Sequence, residues 1–178
     1  MVRPVAINHV GAVVDDIEAA IKWYQDVMGF GLVGGPFDLT GEGAAGAQTR
    51  NILGDNLEHL RIAHMSTGNG VGLELFQPVD PPLDRRKDVI EFWRQGYFHI
   101  CVTDPDVEDL VARIVETGGQ QLSNIWGERP PQERVPHVLL RRSVRQHRRG
   151  LFASVRSDAG QQGLNLASCE RVATKRCV

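Results

Sequence analysis

Apolar and polar positions follow two periods along this chain, and the sequence of periods occurs twice. Val5–Val14 is a short Val-rich apolar stretch backed by Asp15-Asp16, which predicts a strand leading into a helix cap. From there apolar residues fall at Ile17, Ala20, Ile21, Tyr24 and Met28, the one-face spacing of an amphipathic helix, with Gly29 placed to stop it. Phe30–Val33 predicts a second strand. Gly34–Gly46 reads as a mobile, glycine-rich loop. Leu57–Met65 alternates, Ser66-Thr67-Gly68-Asn69-Gly70 is a turn, and Val71–Gln77 is the hairpin partner. The proline-rich stretch Pro78–Asp88 reads as a linker.

Ninety residues on, the pattern returns. Tyr97–Val102 predicts a strand, and Asp104-Pro105 supplies a cap and a first-turn proline. Val107, Leu110, Val111, Ile114 and Val115 form a helical stripe ended by Gly118-Gly119, and Gln120–Ile125 is the next strand. His9 falls on His99, Asp16 on Asp106, Ile17 on Val107, Glu18 on Glu108, Ala20 on Leu110 and Ile21 on Val111. Two long copies indicate a duplicated supersecondary unit rather than a solenoid. The fold class expected is α+β, built from paired βαβββ modules. Two strands of the second copy should lie between about residues 134 and 155, but Pro136–Gly150 is arginine-dense and shows no clean alternation. The second module is therefore expected to lack its last two strands. The boundaries predicted are 1–77 for the first module, 78–88 for the linker, 89–134 for the incomplete second module and 135–178 for an irregular tail.

Composition narrows the class. A chain of 178 residues, 42% apolar and 24% charged, is an ordinary soluble globule, large enough to bury roughly 70% of its unfolded surface. No apolar run is long enough for a signal peptide core or a membrane span. Cys101, Cys169 and Cys177 are odd in number and lack metal-type spacing, so a reducing, cytoplasmic setting is expected. Charge is uneven: residues 1–134 carry 11 basic and 20 acidic side chains, residues 135–178 carry 9 and 2. The basic tail has no aromatic stacking platform, so no nucleic-acid partner is expected.

The segments INHVGAVVDDIEAAIKWYQDVMGF, GVGLELFQP and GYFHICVTDPDVEDLVARIVETGG together resemble the vicinal oxygen chelate superfamily. That group includes glyoxalase I, methylmalonyl-CoA epimerase, extradiol dioxygenases and bleomycin-resistance proteins. The resemblance implies paired βαβββ modules whose curved sheets form a cupped, metal-holding cleft. Its members finish the second module with a segment like YCEDPFGN and then IVEVYS. Leu139 to Leu151 can be encoded so that reading one base later gives YCEDPFGNIVEV. The arginine excess also fits GC-rich codons read out of frame. The tail from about Val135 is therefore expected to be frameshifted.

An imidazole at the same place in each repeat makes His9 and His99 candidate ligands for a metal ion. Glu74 stands in the apolar run Gly72-Leu73-Glu74-Leu75-Phe76, and a buried carboxylate needs a cation beside it. By resemblance Glu74 is the first-module carboxylate ligand, and it is also the candidate catalytic base. The fourth ligand of the glyoxalase group, a glutamate in the last strand, is absent here. His9, Glu74 and His99 are the metal set expected, for Zn, Ni, Mn, Co or Fe. His64 is read as structural, Cys101 as a small buried hydrophobe, and Trp23, Tyr24, Phe92 and Trp93 as packing or cleft-wall residues. The resemblance implies a divalent-metal-dependent lyase, isomerase or epimerase acting on a small oxygenated molecule through an enediolate, impaired by the lost ligand. An extradiol-type dioxygenase and a metal-free drug-binding protein are the alternatives. The partner expected is a small-molecule substrate, with a homodimer as an option and no membrane.

Overall fold

A computed structural model describes residues 3–84, 93, 95, 99–126, 137–141 and 150–154, with the backbone alone at 137, 139, 141 and 150–154. The first unit runs β1 (His9–Val13), α1 (Ile17–Met28), β2 (Gly31–Thr40), α2 (Gly43–Leu53), β3 (His59–Ser66) and β4 (Gly72–Asp80). The second runs β5 (His99–Thr103), α3 (Val107–Glu116), β6 (Gln120–Gln121), β7 (His137–Arg141) and β8 (Gly150–Ser154). The sheets are ordered β1-β4-β3-β2 and β5-β8-β7-β6. In each, the first strand pairs in parallel with the last and the other pairings are antiparallel. The α+β class and the paired βαβββ plan hold.

The repeat extends to single hydrogen bonds. Asp16 caps α1 by accepting from the Ala19 N–H at 2.9 Å, and Asp106 caps α3 by accepting from the Asp109 N–H at 2.9 Å. The helix faces match too: Ile17 and Val107 are fully buried, and Ile21 and Val111 nearly so. Gly29 ends α1 in the left-handed region at φ 66°, and the Phe30 N–H reaches back to the Tyr24 carbonyl. Val115, at the edge of the α3 stripe, is exposed instead of buried.

One apolar core joins the two units. Side chains of α1, β3 and β4 meet those of α3 and β7 in a single cluster containing Ile17, Tyr24, Met65, Leu75, Leu110, Ile114 and Leu140. Burying each large side chain contributes roughly 1.5–3 kcal/mol. Polar ties cross at the rim. The Trp23 Nε1–H donates to Thr117 Oγ1 at 3.0 Å. Arg113 Nη1 donates to the Val27 carbonyl at the end of α1, while Asp109 and Asp104 hold its other nitrogens at 2.8 and 3.1 Å. Since α1 has no basic residue in its own last turn, Arg113 supplies the cation that complements its C-terminal dipole.

Three expectations need correction. The second sheet does not lack its last strands: β7 and β8 complete it. Val138 and Leu140, two apart on β7, are both fully buried in the core, so inward side chains at alternate positions set the strand despite the surrounding arginines. Nor is 34–46 one loop. β2 runs through Gly34-Gly35-Pro36 with register shifts, and α2 begins at Gly43. A side chain at Gly35 (φ 95°) would meet the Ile62 carbonyl oxygen at 2.6 Å, and one at Gly46 would strike the backbone of Gly41. These glycines permit close backbone approach. Finally, Cys101 is exposed on β5 rather than buried. Of the expected packing aromatics, Trp23 and Tyr24 are buried and Trp93 is exposed, while Phe92 lies outside the described residues.

Candidate functional site

The face of the first sheet turned away from α1 carries the polar chemistry. Residues paired across strands share a face, and so do residues two apart on one strand. His64 pairs with Glu74, and His9 pairs with Gly72, two residues before Glu74. His9, Glu74 and His64 therefore stand on one face of three adjacent strands, while Met65, Leu73 and Leu75 bury on the other. Gly72 leaves room for this. A Cβ there would come within 2.8 Å of His9 Cβ.

Glu74 lies between two imidazoles. Its Oε2 is 3.4 Å from His9 Nε2, and its Oε1 is 3.3 Å from His64 Nδ1. The Glu74 side chain is 17% exposed and those of His9 and His64 are 51% and 46% exposed. The trio lines an open cavity of about 310 Å3 together with Asn8, Val33, Met65, Ser66, Gly70, Gly72 and Leu73. Among the described residues that line it, all come from the first unit and Glu74 is the sole carboxylate.

The ring of His9 is oriented by its neighbour. His9 Nδ1 lies 2.9 Å from the Asn8 side-chain oxygen, which can only accept, so this contact takes the proton on Nδ1 and leaves Nε2 turned toward Glu74. Nε2 stands 3.4 Å from a Glu74 carboxylate oxygen, a contact that a proton on Nε2 or a cation shared by the two groups makes favourable. Ligands about 2.1 Å from one tetrahedral ion stand about 3.4 Å apart. A metal-bound histidine also normally donates its other N–H to an oxygen, as His9 does. The donor pair thus fits a divalent ion. A complete shell is not assembled, because the two histidines take opposite oxygens of Glu74. Among the described residues no three such side chains converge on one point.

The structure brings His9 to Glu74 and does not bring His99 to either. His99 lies on β5, opposite Gly150 of β8, as His9 lies opposite Gly72 of β4. The same register places Phe152 where β4 has Glu74, and Leu139 where β3 has His64. The second sheet keeps the histidine of the repeat and holds apolar residues at the other two positions. Sequence reasoning missed Asn8 and assigned His64 to structure. Asn8 carried no signal beyond its place next to His9. His64 could have been found from the alternation that puts it opposite Glu74.

Comparison with known proteins agrees with the fold. The profile of the Glyoxalase/Bleomycin resistance protein/Dioxygenase superfamily matches residues 6–129. A 2-epi-5-epi-valiolone epimerase from Actinomyces sp. is 29% identical over 104 residues, which are 58% of this chain. The match spans about half of that relative, 54% of its length. A glyoxalase family protein from Bacillus cereus superposes with a TM-score of 0.65 at 18% identity, over 86% of this chain and 97% of that one. Glyoxalase I from Zea mays gives a TM-score of 0.55 at 15% identity, over 85% of this chain and 45% of that one. Among the described residues no helix is long and apolar enough to cross a membrane. The chain belongs to the Glyoxalase/Bleomycin resistance protein/Dioxygenase superfamily.

Proposed function

We propose that this chain is a divalent-metal-dependent isomerase or epimerase acting on a small oxygenated molecule, with His9, Glu74 and His99 as the protein ligands. The observation that carries the reading is the His9–Glu74 pair, a ring nitrogen and a carboxylate oxygen held at the spacing of two ligands on one ion. A bound divalent cation would polarise adjacent substrate oxygens and make a neighbouring C–H acidic. The side chains divide the remaining work. Asn8 fixes the His9 ring. Glu74, the carboxylate in the cavity wall, is the group placed to move a proton. Isomerase or epimerase is preferred to lyase because the Actinomyces relative is named an epimerase, and inversion at a carbon proceeds by removing and returning one proton.

Activity should be low in this chain. The glyoxalase-type site that the resemblance implies takes a second carboxylate from its last strand, and β8 holds Gly-Leu-Phe-Ala-Ser. The family match ending at residue 129 is in keeping with a change of reading frame near Arg134. A homodimer is part of the same proposal, since a second copy offers a route by which His99 meets His9 and Glu74. Mixing inactive His9→Ala and His99→Ala chains should restore some activity if the site is shared.

The test is proton exchange. The protein, loaded in turn with Zn, Ni, Mn, Co and Fe, is incubated in D2O with small α-hydroxycarbonyl compounds and followed by proton NMR. Slow metal-dependent loss of the α-proton signal is expected, and Glu74→Gln should abolish it. Iron-dependent oxygen uptake would favour the dioxygenase instead. Small-molecule binding with no metal at all would favour a sequestering protein.

A further inference from the structure

We infer that the apolar row beside the polar trio is a subsite for an aryl group of the substrate, which rests on the small-molecule reading above and deepens it by naming the substrate class. Strand register defines the row. Cross-strand partners share a face, so Val13, Phe76, Ile62 and Phe37 line up across β1, β4, β3 and β2 on the face that carries His9, Glu74 and His64. The next row toward the β3–β4 turn is Gly11, Glu74, His64 and Gly34. Its two outer positions carry no side chain, and a phenyl ring overhangs each of them. A Cβ at Gly11 would meet the Phe76 ring at 3.2 Å, and one at Gly34 would meet the Phe37 ring at 3.4 Å. The two rings thus stand on either side of the Glu74–His64 pair, with Ile62 between them in the row.

The spacing fits one inserted ring. Aromatic rings in contact stand about 4.5–7 Å apart between centroids, so a ring seated between two phenyls needs about 9–14 Å between them. Two strand spacings, about 10 Å, separate β4 from β2, and the lean of Phe76 over β1 adds to that. Neither phenyl touches another ring among the described residues, and Phe37 is 51% exposed. The chemistry favours a neutral ring, because neither row places a lysine or arginine on this face for an anionic tail to meet. The cavity lined by His9, Glu74 and His64 borders the row, so a molecule whose oxygens sit at the trio has its ring beside the phenyls. Four partly covered side chains offer far less than the roughly 800 Å2 per partner of a standard protein interface, so the row suits a small molecule. The corresponding row of the second sheet is Thr103, Ser154 and His137, which places the subsite in the first unit alone.

The test uses the full chain without metal, which keeps it independent of the ion. NMR titration compares α-hydroxyacetophenone with hydroxyacetone, two molecules that share the ketone and hydroxyl and differ by phenyl against methyl. The aryl compound should bind at least about tenfold more tightly, as burying a phenyl ring implies. Phe37→Ala and Phe76→Leu should each weaken it by about three- to tenfold, the loss of one ring contact, and leave hydroxyacetone unchanged. Ile52→Ala, which removes an exposed apolar side chain on α2, should alter neither. Equal binding of the two compounds, no binding of the aryl compound, or full aryl affinity in both phenylalanine variants would overturn the proposal. So would a dimer in sedimentation that Phe37→Ala dissociates while aryl binding stays unchanged, since the row would then be an interface between copies. A chain that binds the aryl compound but takes up no divalent ion in a separate titration would contradict the metal reading and leave the subsite standing.

Discussion

At the scale of single residues, the site depends on what is missing beside His9 as much as on what is present. Gly72 faces His9 across the β1–β4 pair, with no space for a methyl group. Gly72→Ala should therefore lower stability by about 1–3 kcal/mol, the usual cost of overpacking, and should displace the imidazole. Urea unfolding together with Co(II) titration checks both effects; an unchanged midpoint and affinity would mean that the strands can separate without consequence. His9 and Glu74 were legible in the sequence because one repeats and the other interrupts an apolar run. Asn8 was not, while His64 could have been placed from the alternation that sets it opposite Glu74. The role of Asn8 follows from which His9 ring nitrogen faces its oxygen, and that depends on side-chain torsions that no spacing rule encodes. His99 was legible through the repeat alone, and the structure leaves it on a different sheet from its proposed partners.

Helices and strands were easier to read where one face is buried. Both caps and both helix stripes follow directly from the 3.6-residue period and from aspartate one position before each helix. Asp16→Ala and Asp106→Ala should each cost about 1 kcal/mol of unfolding free energy, with no effect on metal affinity. Helix α2 escaped notice because nearly all of its surface is exposed and its glycines suggested a loop. Strand β7 escaped because only Val138 and Leu140 carry its pattern amid arginines. Leu140→Ala should cost about 2–5 kcal/mol if β7 packs as seen. A change below about 0.5 kcal/mol, as for a surface site, would show that the segment is not part of the core. Strand β3 is tied to α1 by Arg61, which donates to both oxygens of Glu18 at 2.5 and 2.9 Å. That hydrogen bond, partly offset by burial, holds the Glu18 carboxyl below its ordinary range. A depressed folded-state pKa stabilises above the unfolded value, near pH 4.3, and the benefit is lost as pH falls through the folded value. Glu18 is 59% exposed, so the effect should be under about 1 kcal/mol. Glu18→Gln should flatten acid destabilisation by that amount in urea titrations below about pH 5.

The whole molecule is two copies of one unit that have diverged in chemistry while keeping their backbone plan. Both sheets have the same strand order, and α1 and α3 carry matching caps and matching buried positions. The polar trio survives in the first unit, and the second keeps the histidine with apolar residues at the other two register positions. The most direct test of the account is a metal titration of the parent chain beside His9→Ala, Glu74→Gln and His99→Ala. About one divalent ion per chain should bind the parent, and each substitution should weaken it by at least about tenfold, as loss of even an orienting residue does. A parent that binds no ion, or a Glu74→Gln chain that binds as tightly as the parent, would contradict it.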